Sequence, residues 1–92
     1  MSESFSVFYT SSALKDLRTI EKKNAQKIIL TIQKYTNKNP LEKAKKLSGI
    51  FEGLYRYRVG DYRSIFQMDN SSRPIIITIL KIKHRKDIYK NL

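Results

Sequence analysis

The sequence predicts an α+β fold in which an N-terminal strand and a helical pair pack on one face of a mostly antiparallel four-stranded sheet. Apolar residues recur at helical spacing in the first half of the chain and at every second position in the second half. The chain has 92 residues, of which 40% are hydrophobic. This composition suits one compact domain over 1–92 and is too apolar for a disordered basic tail.

The N-terminal half predicts a strand followed by two helices. Apolar residues alternate over 5–9, which indicates a strand. Thr10 and the serines after it can cap a first helix over 13–22. Asn24 can cap a second helix, whose apolar positions follow i, i+3, i+4, i+7 spacing. We expect residues 40–47 to add one or two helical turns.

The C-terminal half predicts a meander of strands. Residues 54–59 and 62–68 alternate in polarity, and the Gly-Asp pair between them is typical of a two-residue hairpin connection. After a polar turn, 75–83 is a β-branched run that suits a central strand. We expect 85–89 to form a short basic tail, either without regular structure or as one further strand.

The predicted hairpin aligns three arginines. If Gly60 and Asp61 form a two-residue loop, Arg58 lies directly across from Arg63, and Arg56 shares their face. The helices cover the other face. Like charges directly opposite each other destabilise a sheet, so we expect an anion to bind there and Arg63 to be replaceable without loss of stability.

The last long strand extends this basic face. Strict alternation places Lys81 and Lys83 on the same face as Ile79, so both lysines extend the basic face. His84 has the opposite parity.

Charge and composition narrow the class of protein. Nineteen Lys and Arg against eight Asp and Glu give a net charge of +11, which indicates a polyanionic or acidic partner. The absence of Cys excludes disulfides and thiolate metal sites, and a single His makes a metal site unexpected.

The polar N-terminus predicts no signal peptide, and the run 75–82 is far shorter than the about 20 residues that span a bilayer. We therefore predict a cytoplasmic protein.

Three segments together resemble the RelE/ParE toxin superfamily. They are Leu-Ser-Gly at 47–49, YRYRVGDYRSIF at 55–66 and HRKDIY at 84–89. The resemblance implies a RelE-like fold and a toxin of a type II toxin–antitoxin system. A RelE-type toxin cleaves mRNA on the ribosome without metal or cofactor, which inhibits translation, and a RelB-like antitoxin holds it in an inactive hetero-oligomer. The alternative is a ParE-like toxin that acts on DNA gyrase by protein contact without catalysis.

The resemblance also implies the site. In RelE-type toxins the 2′-hydroxyl attacks the adjacent phosphate and leaves a cyclic phosphate and a 5′-hydroxyl. The positions that match their catalytic residues are Arg56, Arg58, Arg63, Arg85 and Tyr89. The RNA substrate that the resemblance implies leads us to expect RNA contacts from the basic residues Lys81, Lys83 and Lys86.

This sequence departs from the family at the first basic pair. Family members often have Lys where this chain has Arg56 and Arg58, and an arginine cannot lose its proton to act as a base. The base is then Tyr89 or His84, and the donor to the leaving 5′-oxygen is Arg85 or His84.

Overall fold

The computed structural model describes residues 4–71 and 73–89. Residues 1–3, on which the prediction of no signal peptide partly rests, and Ser72 of the predicted polar turn lie outside this range. The elements are β1 (Phe5–Tyr9), α1 (Ser11–Thr19), α2 (Lys22–Lys38), β2 (Ala44–Lys46), a 3₁₀ turn (Gly49–Phe51), β3 (Tyr55–Val59), β4 (Tyr62–Asp69) and β5 (Ile75–His84).

These elements form one five-stranded sheet in the order β1-β5-β4-β3-β2. Strand β1 runs parallel to β5, and all other neighbours are antiparallel. Both helices pack on the same face, where Ala13, Ile28 and Ile32 meet Phe66 and Ile77 in the main core. The predicted α+β class is confirmed, with five strands where the sequence predicted four.

Helix α1 begins two residues earlier than predicted and α2 three residues earlier, so the prediction that Asn24 caps the second helix is wrong. The Thr10 side chain accepts a hydrogen bond from the Ala13 amide, so α1 already begins at Ser11. Helix α2 begins at Lys22, because the Glu21 carbonyl accepts the first helical bond from Ala25 at 2.9 Å. No helix in the described ranges is long and apolar enough to cross a membrane.

The extra strand comes from the segment that was predicted to be helical. Asn39 does cap one turn, since its side chain accepts from the Leu41 amide at 3.3 Å. The chain then extends, and β2 pairs with β3 through Ala44 opposite Tyr57. The prediction of helical turns over 40–47 is wrong beyond this single turn, because the open edge of β3 offers ladder bonds that an isolated helical turn lacks.

A second, smaller apolar cluster lies on the opposite face of the sheet. Its buried residues are Leu47, Ile65 and Ile88, with Phe51 and Leu80 among those packed against them. Ile88 belongs to the segment that follows β5, so the chain folds back over this face of the sheet.

Of the two alternatives for 85–89, the structure has the tail without a further strand. The tail forms turns, in which the His84 carbonyl accepts from the amides of Asp87 at 2.8 Å and Ile88 at 3.1 Å. Burial of Ile88 requires this reversal, because an extended continuation of β5 would carry the side chain away from the cluster.

A bulge interrupts the alternation in β5. Ile65 pairs with Lys81 while Phe66 pairs with Ile79, so Leu80 has no partner in β4. The side chains of Ile79 and Ile82 therefore both face the helices. The prediction that Ile79 shares a face with Lys81 and Lys83 is therefore wrong. The two lysines pair with Ile65 and Arg63 of β4, whose side chains lie on the face away from the helices.

Replacing Tyr57 by Phe should lower the free energy of unfolding by about 1–2 kcal/mol, because the Pro40 carbonyl would lose its donor. Tyr57 is fully buried, and its hydroxyl donates to that carbonyl at 2.6 Å. Denaturant melts measure the change, and Tyr55→Phe in the half-buried neighbour is the control.

The same variant should alter the response to alkaline pH. Burial, together with Tyr35, raises the pKa of Tyr57 above its ordinary value of 10.0. The stability that the neutral phenol contributes is full below pH 10 and falls as the pH rises further, since only the unfolded state then ionises readily. Above pH 10, wild type should lose stability more steeply than Tyr57→Phe, and equal slopes would contradict this.

Candidate active site

The β3–β4 hairpin brings the predicted arginines to one face. The two-residue connection gives Arg58 opposite Arg63 and Arg56 opposite Ile65, as predicted. Ile65 belongs to the smaller apolar cluster, so this face lies away from the helices. Arg58 is exposed and Arg56 is half-buried at the rim of that cluster.

Arg63 differs from the expectation of an exposed, replaceable side chain. Only 9% of it is exposed, and its Nη1 donates to the carbonyls of Gly60 at 2.9 Å and Tyr62 at 3.0 Å. These bonds hold the hairpin turn. The prediction that Arg63 contributes nothing to stability therefore conflicts with its contacts, because a guanidinium bound to two carbonyls stabilises the folded state.

The guanidinium groups lie close enough to influence one another. Burial lowers the pKa of Arg63, and the charges of Arg58, Arg56 and Arg85 lower it further, while Asp61 opposes them. Arg85 is placed by two contacts with that aspartate. Its backbone amide donates to the Asp61 carbonyl at 2.7 Å, and its Nε lies 3.9 Å from Asp61 Oδ1.

Tyr89 joins this arginine group from the C-terminal turn. Arg56 Nη1 donates to the Tyr89 hydroxyl at 2.8 Å, and the ring of Phe51 lies 5.3 Å from the tyrosine ring at 55°. The residue before Tyr89, Ile88, is buried and anchors the turn, while 44% of Tyr89 remains exposed. Arg56 Nε is buried and has no hydrogen-bond partner within the described residues. The structure therefore brings Tyr89 and the arginines together, and the tyrosine is partly exposed.

His84 lies on the other face of the sheet. It pairs with Tyr62, and the two rings meet edge to face at 5.7 Å. Its Nδ1 accepts a hydrogen bond from the Lys86 amide at 3.2 Å. The structure does not bring His84 into the arginine group, and the side chain of Lys86 is exposed on the same turn.

Lys81 and Lys83 stand at the margin of the site. They pair with Ile65 and Arg63, and their side chains line a groove along the edge of β5. Lys83 Nζ lies 2.8 Å from Asp16 Oδ1 on α1. Asp16 was missed by the sequence analysis, although an acidic residue three positions after Ala13 on the apolar face of α1 was a detectable signal.

The arrangement suits chemistry at a phosphate. Guanidiniums bind phosphate oxygens through paired N–H groups, and in-line transfer at phosphorus depends mainly on positioning and on cations around the oxygens. Over residues 4–71 and 73–89, no three His, Asp or Glu side chains cluster in a way that could hold a metal ion.

Similarity to known proteins extends over most of the chain. The family described as "ParE toxin of type II toxin-antitoxin system, parDE" matches residues 7–89. Toxin RelG of Mycobacterium tuberculosis is 26% identical over 86 residues, which are 94% of this chain and 97% of that protein.

Solved structures share the fold. The toxin–antitoxin complex RelBE2 from M. tuberculosis matches with a TM-score of 0.79 at 22% identity, over 92% of this chain and 100% of that one. The archaeal RelE–RelB complex from Pyrococcus horikoshii matches with a TM-score of 0.72 at 27% identity, over 91% and 98%. This chain belongs to the ParE toxin family within the RelE/ParE superfamily, and it is a toxin of a type II toxin–antitoxin system.

Proposed function

We propose that this toxin is a ribosome-dependent, metal-independent mRNA endonuclease that inhibits translation. The observation that carries the proposal is the Tyr89 hydroxyl, which accepts a hydrogen bond from Arg56 at 2.8 Å beside three further guanidiniums. A base and several phosphate-binding cations on one accessible face are what cleavage by an internal 2′-hydroxyl requires.

In the proposed reaction Tyr89 takes the proton from the 2′-hydroxyl, which attacks the adjacent phosphorus. The bond from phosphorus to the 5′-oxygen breaks, and Arg85 donates a hydrogen bond that stabilises the negative charge on that oxygen. Solvent water supplies the proton to the 5′-oxygen, which leaves a 2′,3′-cyclic phosphate and a 5′-hydroxyl. Arg56 and Arg58 bind the non-bridging oxygens, where negative charge builds up. Geometry favours Tyr89 over His84, because the histidine lies on the opposite face.

The proposed partners are the ribosome with its mRNA and a RelB-like antitoxin in a hetero-oligomer. The net charge of +11 favours fast association with RNA or with an acidic protein. Exposed apolar side chains at Phe8, Leu30 and Ile50 offer contacts that would persist at high salt. Two similar structures are complexes of a toxin with its antitoxin, which supports this pairing.

Programmed ribosomes provide the test. With trace metals chelated and Mg²⁺ kept only for ribosome integrity, purified toxin should cleave mRNA to 5′-hydroxyl and cyclic-phosphate ends. Free RNA should be cut poorly. Addition of the acidic product of the neighbouring reading frame should stop cleavage. Ends that carry a 5′-phosphate, or a 3′-phosphate monoester formed directly, would exclude attack by the 2′-hydroxyl.

The second candidate is a non-enzymatic toxin that acts on DNA gyrase by protein contact. The family description that matches residues 7–89 names ParE, which favours this alternative. Supercoiling assays separate the two. Inhibition of gyrase without cleavage of ribosome-bound mRNA would establish the alternative, and the reverse result would establish the endonuclease.

A further inference from the structure

Asp16 is a buried carboxylate on the apolar side of α1. Only 6% of the residue is exposed, and it lies one helical turn after Ala13, which is fully buried in the main core. A charge in this position is unfavourable unless donors satisfy it. Its partners therefore indicate what the residue contributes.

Both partners of Asp16 are on β5. Oδ2 accepts the backbone N–H of Ile82 at 3.0 Å, and Oδ1 lies 2.8 Å from Lys83 Nζ. One oxygen holds the backbone and the other holds the next side chain along the strand. Both contacts join distant parts of the chain, since the hydrogen bond between Asp16 and the Ile82 amide spans 66 positions in the sequence.

These contacts lie where β5 loses its neighbouring strand. The pairing of β1 with β5 ends at Tyr9 opposite Ile79. The Thr10 hydroxyl then donates to the Leu80 carbonyl at 3.1 Å, and Asp16 receives the Ile82 amide. Two side chains thus replace the backbone of a strand along this edge.

The same two contacts flank the bulge. Leu80 is the residue without a partner in β4. Thr10 binds the carbonyl of Leu80 itself, and Asp16 binds the amide of Ile82, two residues later. The bulge reverses the alternation, so that Lys81 and Lys83 come opposite Ile65 and Arg63. A regular strand here would turn both lysines toward the helices.

We propose that Asp16 is a positioning residue for the cleavage reaction. It holds the bulged register of β5 through Ile82, and it thereby sets Lys83 and the following Arg85 relative to the arginines of the hairpin. This inference rests on the proposed endonuclease function. Asp16 itself does not touch the RNA.

Three variants in α1 separate positioning from general stability. Asp16→Ala removes the acceptor and the charge, while Asp16→Asn keeps an oxygen for the Ile82 amide. Leu17→Ala is the matched control, because the neighbouring Leu17 packs against the main core and its loss weakens packing without touching the β5 edge. All rates are measured in single turnover at a temperature where each variant is folded.

We expect Asp16→Ala to cleave about 30-fold more slowly or worse, and Asp16→Asn to stay within about fivefold of wild type. Leu17→Ala should stay within about threefold despite a lower Tm. If Asp16→Ala cleaves like wild type, the proposal is overturned. If Asp16→Ala does not fold, Asp16→Asn alone decides. A cleavage rate about 30-fold below wild type in Asp16→Asn, with the Ile82 amide still protected from hydrogen exchange, would also overturn the proposal.

Amide hydrogen exchange separates this proposal from the proposed function. It needs no RNA, and Asp16→Ala should raise the exchange rate of the Ile82 amide by about tenfold or more, while Asp16→Asn and Leu17→Ala should not. Unchanged exchange in Asp16→Ala overturns the positioning role. A wild-type protein that cleaves no mRNA instead overturns the endonuclease function, whatever the exchange result.

Discussion

Replacing Tyr89 by Phe should lower the rate of mRNA cleavage by about 100-fold or more, the usual contribution of a positioned general base. The phenylalanine keeps the ring contact with Phe51 but loses the hydroxyl that accepts from Arg56 at 2.8 Å. Because 44% of Tyr89 is exposed, stability should change by less than about 0.5 kcal/mol. Single-turnover cleavage on programmed ribosomes, with thermal melts beside it, measures both quantities.

His84→Gln is the matched comparison for Tyr89→Phe. His84 lies on the face that carries Tyr62, so this variant should cleave within about tenfold of wild type. The reverse order, with His84→Gln severely impaired and Tyr89→Phe active, would assign the base to the histidine. Such a result would require the end of β5 to rearrange when RNA binds.

Replacing Arg63 by Gln should lower both stability and activity. The glutamine cannot reach the carbonyls of Gly60 and Tyr62, and loss of these bonds should cost about 1–2 kcal/mol after the relief of repulsion from Arg58. Tm should fall by roughly 4–16 °C for a domain of this size. Cleavage by the folded variant should fall by about 100-fold, because the hairpin turn also positions Arg85 through Asp61.

Arg58→Gln provides the contrast, since Arg58 is the exposed member of the same cross-strand pair. This variant should lose activity to a similar extent, yet its stability should stay level or rise by a few tenths of a kcal/mol, about the size of a cross-strand charge repulsion. Lys15→Gln, on the exposed side of α1, is the control for a lost surface charge. Equal destabilisation by Arg58→Gln and Arg63→Gln would contradict the distinct roles assigned to the two arginines.

The hairpin could be predicted because its register depends on local features. Gly60 and Asp61 leave only two residues for the turn, and this length alone places Arg58 opposite Arg63. The proximity of Arg56 and Tyr89, 33 residues apart, followed from resemblance to a family and not from spacing. No periodicity in the sequence connects the two segments.

Other features had no sequence signal strong enough to predict them. The run 75–82 is apolar on both faces for most of its length, so a change of parity at Leu80 leaves the pattern almost unaltered. The burial of Arg63 depends on backbone carbonyls, which every residue supplies. Strand β2 carries two lysines and lies in a segment whose sequence predicts helical turns. Its pairing with the edge of β3 is a tertiary effect that the local sequence does not reveal.

The strand order also implies an order of folding. Strands β3 and β4 are joined by a short turn, so they pair with little loss of chain entropy. Strand β1 pairs with β5 across most of the chain, beginning with Phe5 opposite Ile75, and this closure must wait until the hairpin and β5 have associated. The opposed arginines are therefore assembled early, and the N-terminal strand with its helix closes the sheet last. Mutations in β1 should consequently speed unfolding more than they slow folding.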